Sequence, residues 1–171
     1  MKFIKISLAF AILSIAFANS SFAQATASAT ATATIVAPIA ITKTVDMNFG
    51  NVAVIALGTV VLDAQAGTRT KTGGVTLPNV NGTVAAASFN VAGEGAYTYA
   101  ITLPSTDYTI TKVAGTATMA VNTFTSYPTL TGTLSGGAQV LKVGATLNVG
   151  AAQLAGVYTN ATGFDVTVNY N

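Results

Sequence analysis

Beyond residue 23, the chain has no long helical periodicity, and short runs of β-branched and aromatic residues follow one another instead. Val, Ile, Thr, Tyr and Phe suit a half-buried pleated surface, whereas Glu and Lys, the usual residues of surface helices, are nearly absent. Charged residues make up only 7% of the chain, against about 25% in an average soluble domain. This pattern predicts an all-β fold, and we expect a two-layer antiparallel sandwich.

The boundaries of the predicted strands follow from the turn residues between them. Gly, Asn and Pro supply the backbone conformations that tight turns need. A single helical turn is expected at residues 153–156. Turns or bends are expected at Gly67, Gly73-Gly74, Asn81-Gly82, 93–95, Pro104-Ser105, Gly136-Gly137, Gly144-Ala145 and Thr162-Gly163. The predicted strands are residues 34–42, 47–54, 59–63, 74–77, 87–92, 96–103, 108–113, 118–125, 139–143, 146–149 and 164–170.

The first 23 residues resemble an export signal. Lys2 and Lys5 precede an apolar run at residues 6–18, and small residues at positions 21 and 23 suit a cleavage site. Removing two of the seven Lys and Arg residues leaves five cations against five Asp and Glu residues, which gives a neutral mature chain. Because the excess of positive charge lies in the signal, we expect no nucleic-acid partner.

The composition also argues against an enzyme. The chain has no His and no Cys, so a Ser-His-Asp or Cys-His nucleophile system, a disulfide and a zinc site of these residues are excluded. The five carboxylates stand far apart in sequence, and Asp46 with Asp63 would make a poor calcium cage. We therefore expect no catalytic residues, no metal site and no cofactor.

The segment after the predicted signal alternates strictly over ten residues. Even positions from 26 to 34 are all Thr or Ser, which leaves one apolar face in an extended chain. One interpretation is a flexible tail of low complexity, and the other is an extension that adds itself as a strand to another sheet. The candidate donor residues on the apolar face are Ala25, Ala27, Ala29, Ala31 and Ala33.

The last residues alternate in the same way. One face of residues 164–170 carries large apolar side chains, and the other carries Asp165, Thr167 and Asn169. This is the pattern of a final strand with one side in the core. It also suits a terminal strand that a periplasmic chaperone grips by β-augmentation. The candidate residues for both roles are Phe164, Val166, Val168 and Tyr170.

Several motifs, in their order along the chain, resemble the secreted bacterial family called domain of unknown function 4402. The motifs are residues 33–39, Met47-Asn48-Phe49-Gly50, residues 58–63, residues 99–104, residues 143–149, Gln153, Gly156-Val157-Tyr158 and residues 164–170. This pattern is in turn similar to pilin subunits of the chaperone–usher kind. Those carry a Phe-Gly near the first strands, a Gly-x-Tyr before the last strand and a penultimate Tyr.

The pilin resemblance implies an immunoglobulin-like sandwich that lacks its seventh strand. A chaperone strand fills the groove first, and the N-terminal extension of the next subunit replaces it. The chain departs from that family in having no Cys and in presenting Ala rather than bulky residues on the donor face. At about 0.8 kcal/mol per buried CH₂, Ala side chains supply roughly a third of what Leu or Ile would.

Together these observations predict a structural subunit of a surface fimbria or pilus-like polymer in a Gram-negative bacterium. The expected layout is a signal at 1–23, an extension at 24–33 and a sandwich at 34–171. The expected partners are other copies or related subunits, a periplasmic chaperone and an outer-membrane usher, with the final location at the cell surface or outside the cell. Most predicted strands are too short to span a bilayer, so no stable membrane insertion is expected. The alternative is a self-complete secreted domain that binds a glycan or a protein.

Overall fold

The structure, a computed structural model, describes residues 24–171. The predicted signal at residues 1–23 lies outside the described residues. The chain divides into two units, residues 1–34 and residues 35–171. In the described part of the first unit, residues 24–34 belong to no strand and all their side chains are exposed.

The second unit consists of antiparallel strands joined by turns and loops, and residues 24–171 contain no helix. No helix in this part of the chain is long and apolar enough to cross a membrane. The strands are β1 (Ala40–Val45), β2 (Asn48–Phe49), β3 (Ala53–Leu62), β4 (Arg69–Thr76), β5 (Val84–Ala85), β6 (Ala87–Ala92), β7 (Thr98–Thr102), β8 (Tyr108–Lys112), β9 (Thr118–Tyr127), β10 (Thr131–Thr133), β11 (Ala138–Val149), β12 (Tyr158–Thr159) and β13 (Thr167–Tyr170).

The large sheet divides along β11. Its strands lie in the order β1-β6-β11-β9-β8-β12, and β3 pairs with both β11 and β4. Residues 138–143 of β11 pair with β6, whereas residues 145–149 pair with β3. The sheet therefore forks at Gly144, and its second part curls into a half-barrel. A small sheet has the order β10-β7-β13, and β2 pairs with β5 alone.

Two groups of buried side chains stabilise this arrangement. The first lies between the small sheet and the β6 and β11 strands. The second lies on the inner side of the curled part of the large sheet. The first group contains Ala87, Phe89, Val91, Tyr99, Ile101, Leu134, Leu141, Val143 and Val168. The second contains Val60, Val75, Val121, Ala145, Leu147 and Val149. The prediction of an all-β antiparallel fold is confirmed.

Three local predictions about turns were wrong. Gly144-Ala145 is not a bend between two strands but lies inside β11, and Gly73-Gly74 lies inside β4. A Cβ atom on Gly144 would overlap the backbone oxygen of Leu62, so this glycine allows a close approach of β3 rather than a chain reversal. Residues 153–156 form no helical turn.

The first strand was predicted to begin at residue 34, but β1 begins at Ala40. Pro38 lacks the N–H group that a ladder needs. Ala37 is hydrogen-bonded elsewhere, to the side chains of Glu94 and Tyr170. The first half of β4 was missed because Arg69, Thr70, Lys71 and Thr72 offer no apolar alternation. The short strands β5, β10 and β12 were missed as well.

Candidate functional site

A cleft of about 1020 Å³, in which many of the lining side chains are apolar, lies inside the curled part of the large sheet. We call it the apolar cleft. Inward side chains of β8, β9 and β11 form its floor: Ile110, Met119, Val121, Leu147 and Val149. One wall is the segment 46–54, which contributes Met47, Phe49, Val52 and Val54. The opposite wall is formed by Tyr108, residues 153–160 and Phe164.

Arg69 fixes the first wall. Its Nη1 donates hydrogen bonds to the backbone oxygens of Phe49 and, at 2.8 Å, Asn51. Its Nη2 donates to Oδ1 of Asn81 at 3.2 Å. Gly50 turns the chain at φ +65, a conformation that favours glycine. The Phe-Gly motif therefore places the Phe49 ring in the cleft while the next residue reverses the backbone.

The second wall carries exposed apolar side chains. The hydroxyl of Tyr158 donates to the backbone oxygen of Leu154 at 2.6 Å and accepts from Nε2 of Gln153 at 2.8 Å. These bonds hold the loop over the cleft, but Leu154 and Val157 remain 61% and 71% exposed. Such side chains at the rim of an apolar cleft are typical of a surface that a partner covers.

The last strand, β13, is an edge strand of the small sheet. It pairs only with β7 among the described residues. The N–H of Asn171 donates to the oxygen of Thr98. Because backbone bonds alternate along an antiparallel pair, the N–H and C=O groups of Val168 and Tyr170 point away from β7. We call this row of backbone groups the open edge, and it can pair with a further strand.

The four residues singled out at the C-terminus all face the first core group. Val168 is 8% exposed, and Phe164, Val166 and Tyr170 are partly buried against that group. The Phe164 ring packs against Phe124 and Tyr108, with ring centroids 4.9 Å and 5.7 Å apart. Phe164 also lines the apolar cleft and lies three residues before β13, so the cleft ends close to the start of the strand with the open edge.

Tyr99, which is buried, and Tyr108, which is partly buried, have altered pKa values. Burial raises the pKa of Tyr99, whose hydroxyl donates to Oε1 of Gln139 at 2.8 Å. Burial also raises the pKa of Tyr108, and a backbone hydrogen bond at Gly163 opposes that shift. Both hydroxyls thus stay neutral donors near pH 7, and that of Tyr108 donates to the backbone oxygen of Asn160 at 3.0 Å.

Tyr170 ties three segments together. Its hydroxyl accepts from the N–H of Glu94 at 2.6 Å and donates to the oxygen of Ala37 at 2.9 Å. The N–H of Ala37 donates in turn to Oε2 of Glu94 at 3.3 Å. A Cβ atom on Gly93 would overlap the hydroxyl of Tyr170. The penultimate Tyr therefore anchors the point at which the chain enters the folded domain.

The candidate donor residues in the extension are not brought together into any site within this chain. Ala25, Ala27, Ala29, Ala31 and Ala33 are exposed and belong to no strand. Their role as a donor strand stays a prediction. In residues 24–171, no three Asp or Glu side chains form a group that could hold a metal ion.

Sequence reasoning missed most residues of the apolar cleft. Val52 and Val54 lie on one segment, whereas Ile110 and Met119 lie on β8 and β9, more than fifty residues further along the chain. The curl of the sheet brings them together, and no local pattern encodes that curl. The motifs at residues 47–50 and 156–158 were the available signal, since both contribute to the walls.

Comparison with known proteins gave one match. No curated protein and no solved structure matches the chain. The family described as "Domain of unknown function (DUF4402)" matches residues 39–170, which include every strand of the domain. The family resemblance predicted from the motifs is thereby confirmed, and the chain belongs to the DUF4402 family.

Proposed function

We propose that this protein is a structural subunit of a bacterial surface polymer, assembled head to tail by donor-strand exchange. The domain is then an immunoglobulin-like sandwich that lacks its last strand. The extension of one copy fills the apolar cleft and pairs with the open edge of the next copy. Contacts of this heterologous kind continue into a filament rather than close into a ring.

The observation that carries the proposal is that the apolar cleft, through Phe164, lies only three residues before the strand with the open edge. An inserted strand would cover the exposed side chains of Leu154 and Val157 and would pair with the backbone of Val168 and Tyr170. A free subunit with an unpaired edge beside an apolar cleft is prone to aggregate. One added strand removes both liabilities.

The extension has the properties that a donor strand requires. Residues 24–34 are exposed and belong to no strand. Their period-two alternation places every Ala from 25 to 33 on one face and the hydroxyl residues on the other. Main-chain hydrogen bonds supply affinity in strand addition, and alternate side chains supply specificity.

The same logic extends to export and assembly. We propose that the predicted signal sends the chain to the periplasm of a Gram-negative bacterium, where a chaperone strand covers the open edge first. An outer-membrane usher then exchanges that strand for the extension of another subunit. The mature chain becomes part of a fimbria, which lies on the cell surface or outside the cell.

A pair of substitutions one residue apart tests the proposal. Ala29→Arg places a charge on the face that enters the cleft, whereas Thr30→Arg places the same charge on the opposite face. Because both residues are exposed and belong to no strand, neither change should alter folding. We expect boiling-sensitive multimers from the native chain and from Thr30→Arg, and their loss, by at least about tenfold, from Ala29→Arg.

The measurement is the multimer ladder on a gel, with samples loaded before and after boiling. Equal ladders for the two variants would mean that the two faces of the extension are equivalent in assembly, so no groove binds the alanine face. A native chain without any ladder would contradict the polymer itself. The self-complete binding domain would then become the better account.

A further inference from the structure

We infer that Ile35 is the anchor of the donor strand, and that residues 29–35 of a second copy are the segment that occupies the apolar cleft and the open edge. This inference rests on the proposed function and goes beyond it, because it fixes the register of the extension. It predicts that Ala25 and Ala27 lie outside the paired segment.

Ile35 is the one large apolar residue left free on the alternating face. That face continues through Ile35, Ala37, Ile39 and Ile41. Ile39 and Ile41 are partly buried against the first core group of their own domain. Ile35, in contrast, is 97% exposed.

The position of Ala37 sets the end of the donor strand. Its N–H and C=O are bonded to Glu94 and Tyr170 of the same domain, and Pro38 has no N–H to offer. Backbone pairing with another copy must therefore end before Ala37. Ile35 is the last side chain of the apolar face that can enter a neighbouring cleft.

The distance from the apolar cleft to the end of β13 limits how much of the extension can lie between them. Residues 164–170, which run from Phe164 in the cleft to the last residue of β13, span about 23 Å at roughly 3.3 Å per residue. Residues 24–35 would span about 40 Å when extended, so only about the last seven can lie along residues 164–170. A segment that ends at Ile35 therefore begins at Ala29, which leaves Ala25 and Ala27 beyond residues 164–170.

The size of the cleft favours the same register. Its lining side chains, among them Phe49, Met119 and Leu147, enclose about 1020 Å³. Five methyl groups would fill such a space poorly, and unfilled apolar volume forfeits contacts. An isoleucine at the end of the segment supplies the bulk that the alanines lack.

The test uses the full-length chain with three arginine substitutions on the extension. Ile35→Arg should reduce the boiling-sensitive ladder by at least about tenfold. Ala25→Arg should keep it within about twofold of the native level, although Ala25 lies on the same face. Thr34→Arg, next to the anchor but on the opposite face, should also keep it. Ile35→Leu should retain the ladder, and the melting temperature of each variant should stay that of the native chain.

The outcomes separate this inference from the proposed function. Loss of the ladder in Ala25→Arg but not in Ile35→Arg would overturn the register while leaving strand exchange in place. A ladder that is lost in Ala29→Arg yet kept in Ile35→Arg would likewise overturn the anchor alone. Ladders kept in all variants, Ala29→Arg included, would overturn both.

Discussion

Gly144→Ala should destabilise the domain by at least about 3 kcal/mol, since overpacking of this severity exceeds the usual cost of an added methyl group. A Cβ atom here would overlap the backbone oxygen of Leu62 and lie 2.7 Å from the backbone nitrogen of Ala64. Backbone atoms of a neighbouring strand cannot rotate away as a side chain can. The fork between β6 and β3 would have to open, and the floor of the apolar cleft would shift with it.

The expected change in melting temperature is a fall of roughly 6–12 °C for a chain of this length. Gly95→Ala is the matched control, because its Cβ atom would meet only the nitrogen of Gly137, at 3.6 Å. That variant should melt within about 2 °C of the native chain. Equal melting temperatures for the two alanine variants would show that the backbone at the end of β3 does not lie close against Gly144 of β11.

Val168→Asp should have an effect of similar or greater size. Val168 is 8% exposed and lies within the first core group, all of whose side chains are uncharged. An unpaired charge at such a site costs about 3–5 kcal/mol, a large part of the roughly 5–15 kcal/mol that stabilises most domains. We expect β13 to leave the small sheet and the soluble yield of the variant to collapse.

Asn169→Asp provides the control for Val168→Asp, because it adds the same charge one residue along the strand on the exposed face. It should be soluble, with a urea midpoint close to that of the native chain. If Val168→Asp were equally soluble and unfolded at the same urea concentration, β13 would contribute nothing to the core. Its place beside the apolar cleft would then be wrong too.

The sequence predicts those parts of the fold that neighbouring residues determine, and it fails where residues distant in the chain determine the structure. The strand at residues 87–92 was predicted with its observed bounds, because alternation and flanking turn residues agree there. The strand β11 was predicted as two pieces, because a glycine that admits a neighbouring backbone looks the same in sequence as a glycine that turns the chain. The strand β4 is an edge strand, and the side chains at its start are polar on both faces. Hydrophobic periodicity therefore carries no information about where it begins.

The candidate site divides in the same way. The inward face of residues 164–170 follows from period-two alternation alone, and the structure places all four of these side chains against the core. The apolar cleft depends on the curl of the large sheet, which no short pattern encodes. The bond between Tyr170 and Ala37 joins residues 133 positions apart, so only the folded chain reveals where the extension leaves the domain.

The central claim is that the extension of one copy lies beside β13 of the next copy. The chain has no Cys, so introduced cysteines report on that contact without interference. Asn169→Cys should be combined in turn with Thr30→Cys, Thr32→Cys and Thr34→Cys, since these positions would share the outer face of the paired strands. Neighbouring strands bring such side chains within disulfide distance.

After mild oxidation, we predict that at least one of these double variants yields a ladder of multimers that survives boiling and disappears with a reducing agent. Asn169→Cys alone should give nothing larger than a dimer, and pairing it with Ala31→Cys, on the inner face, should give no ladder. Only monomers and dimers from every double variant would contradict the claim that subunits of this protein exchange strands.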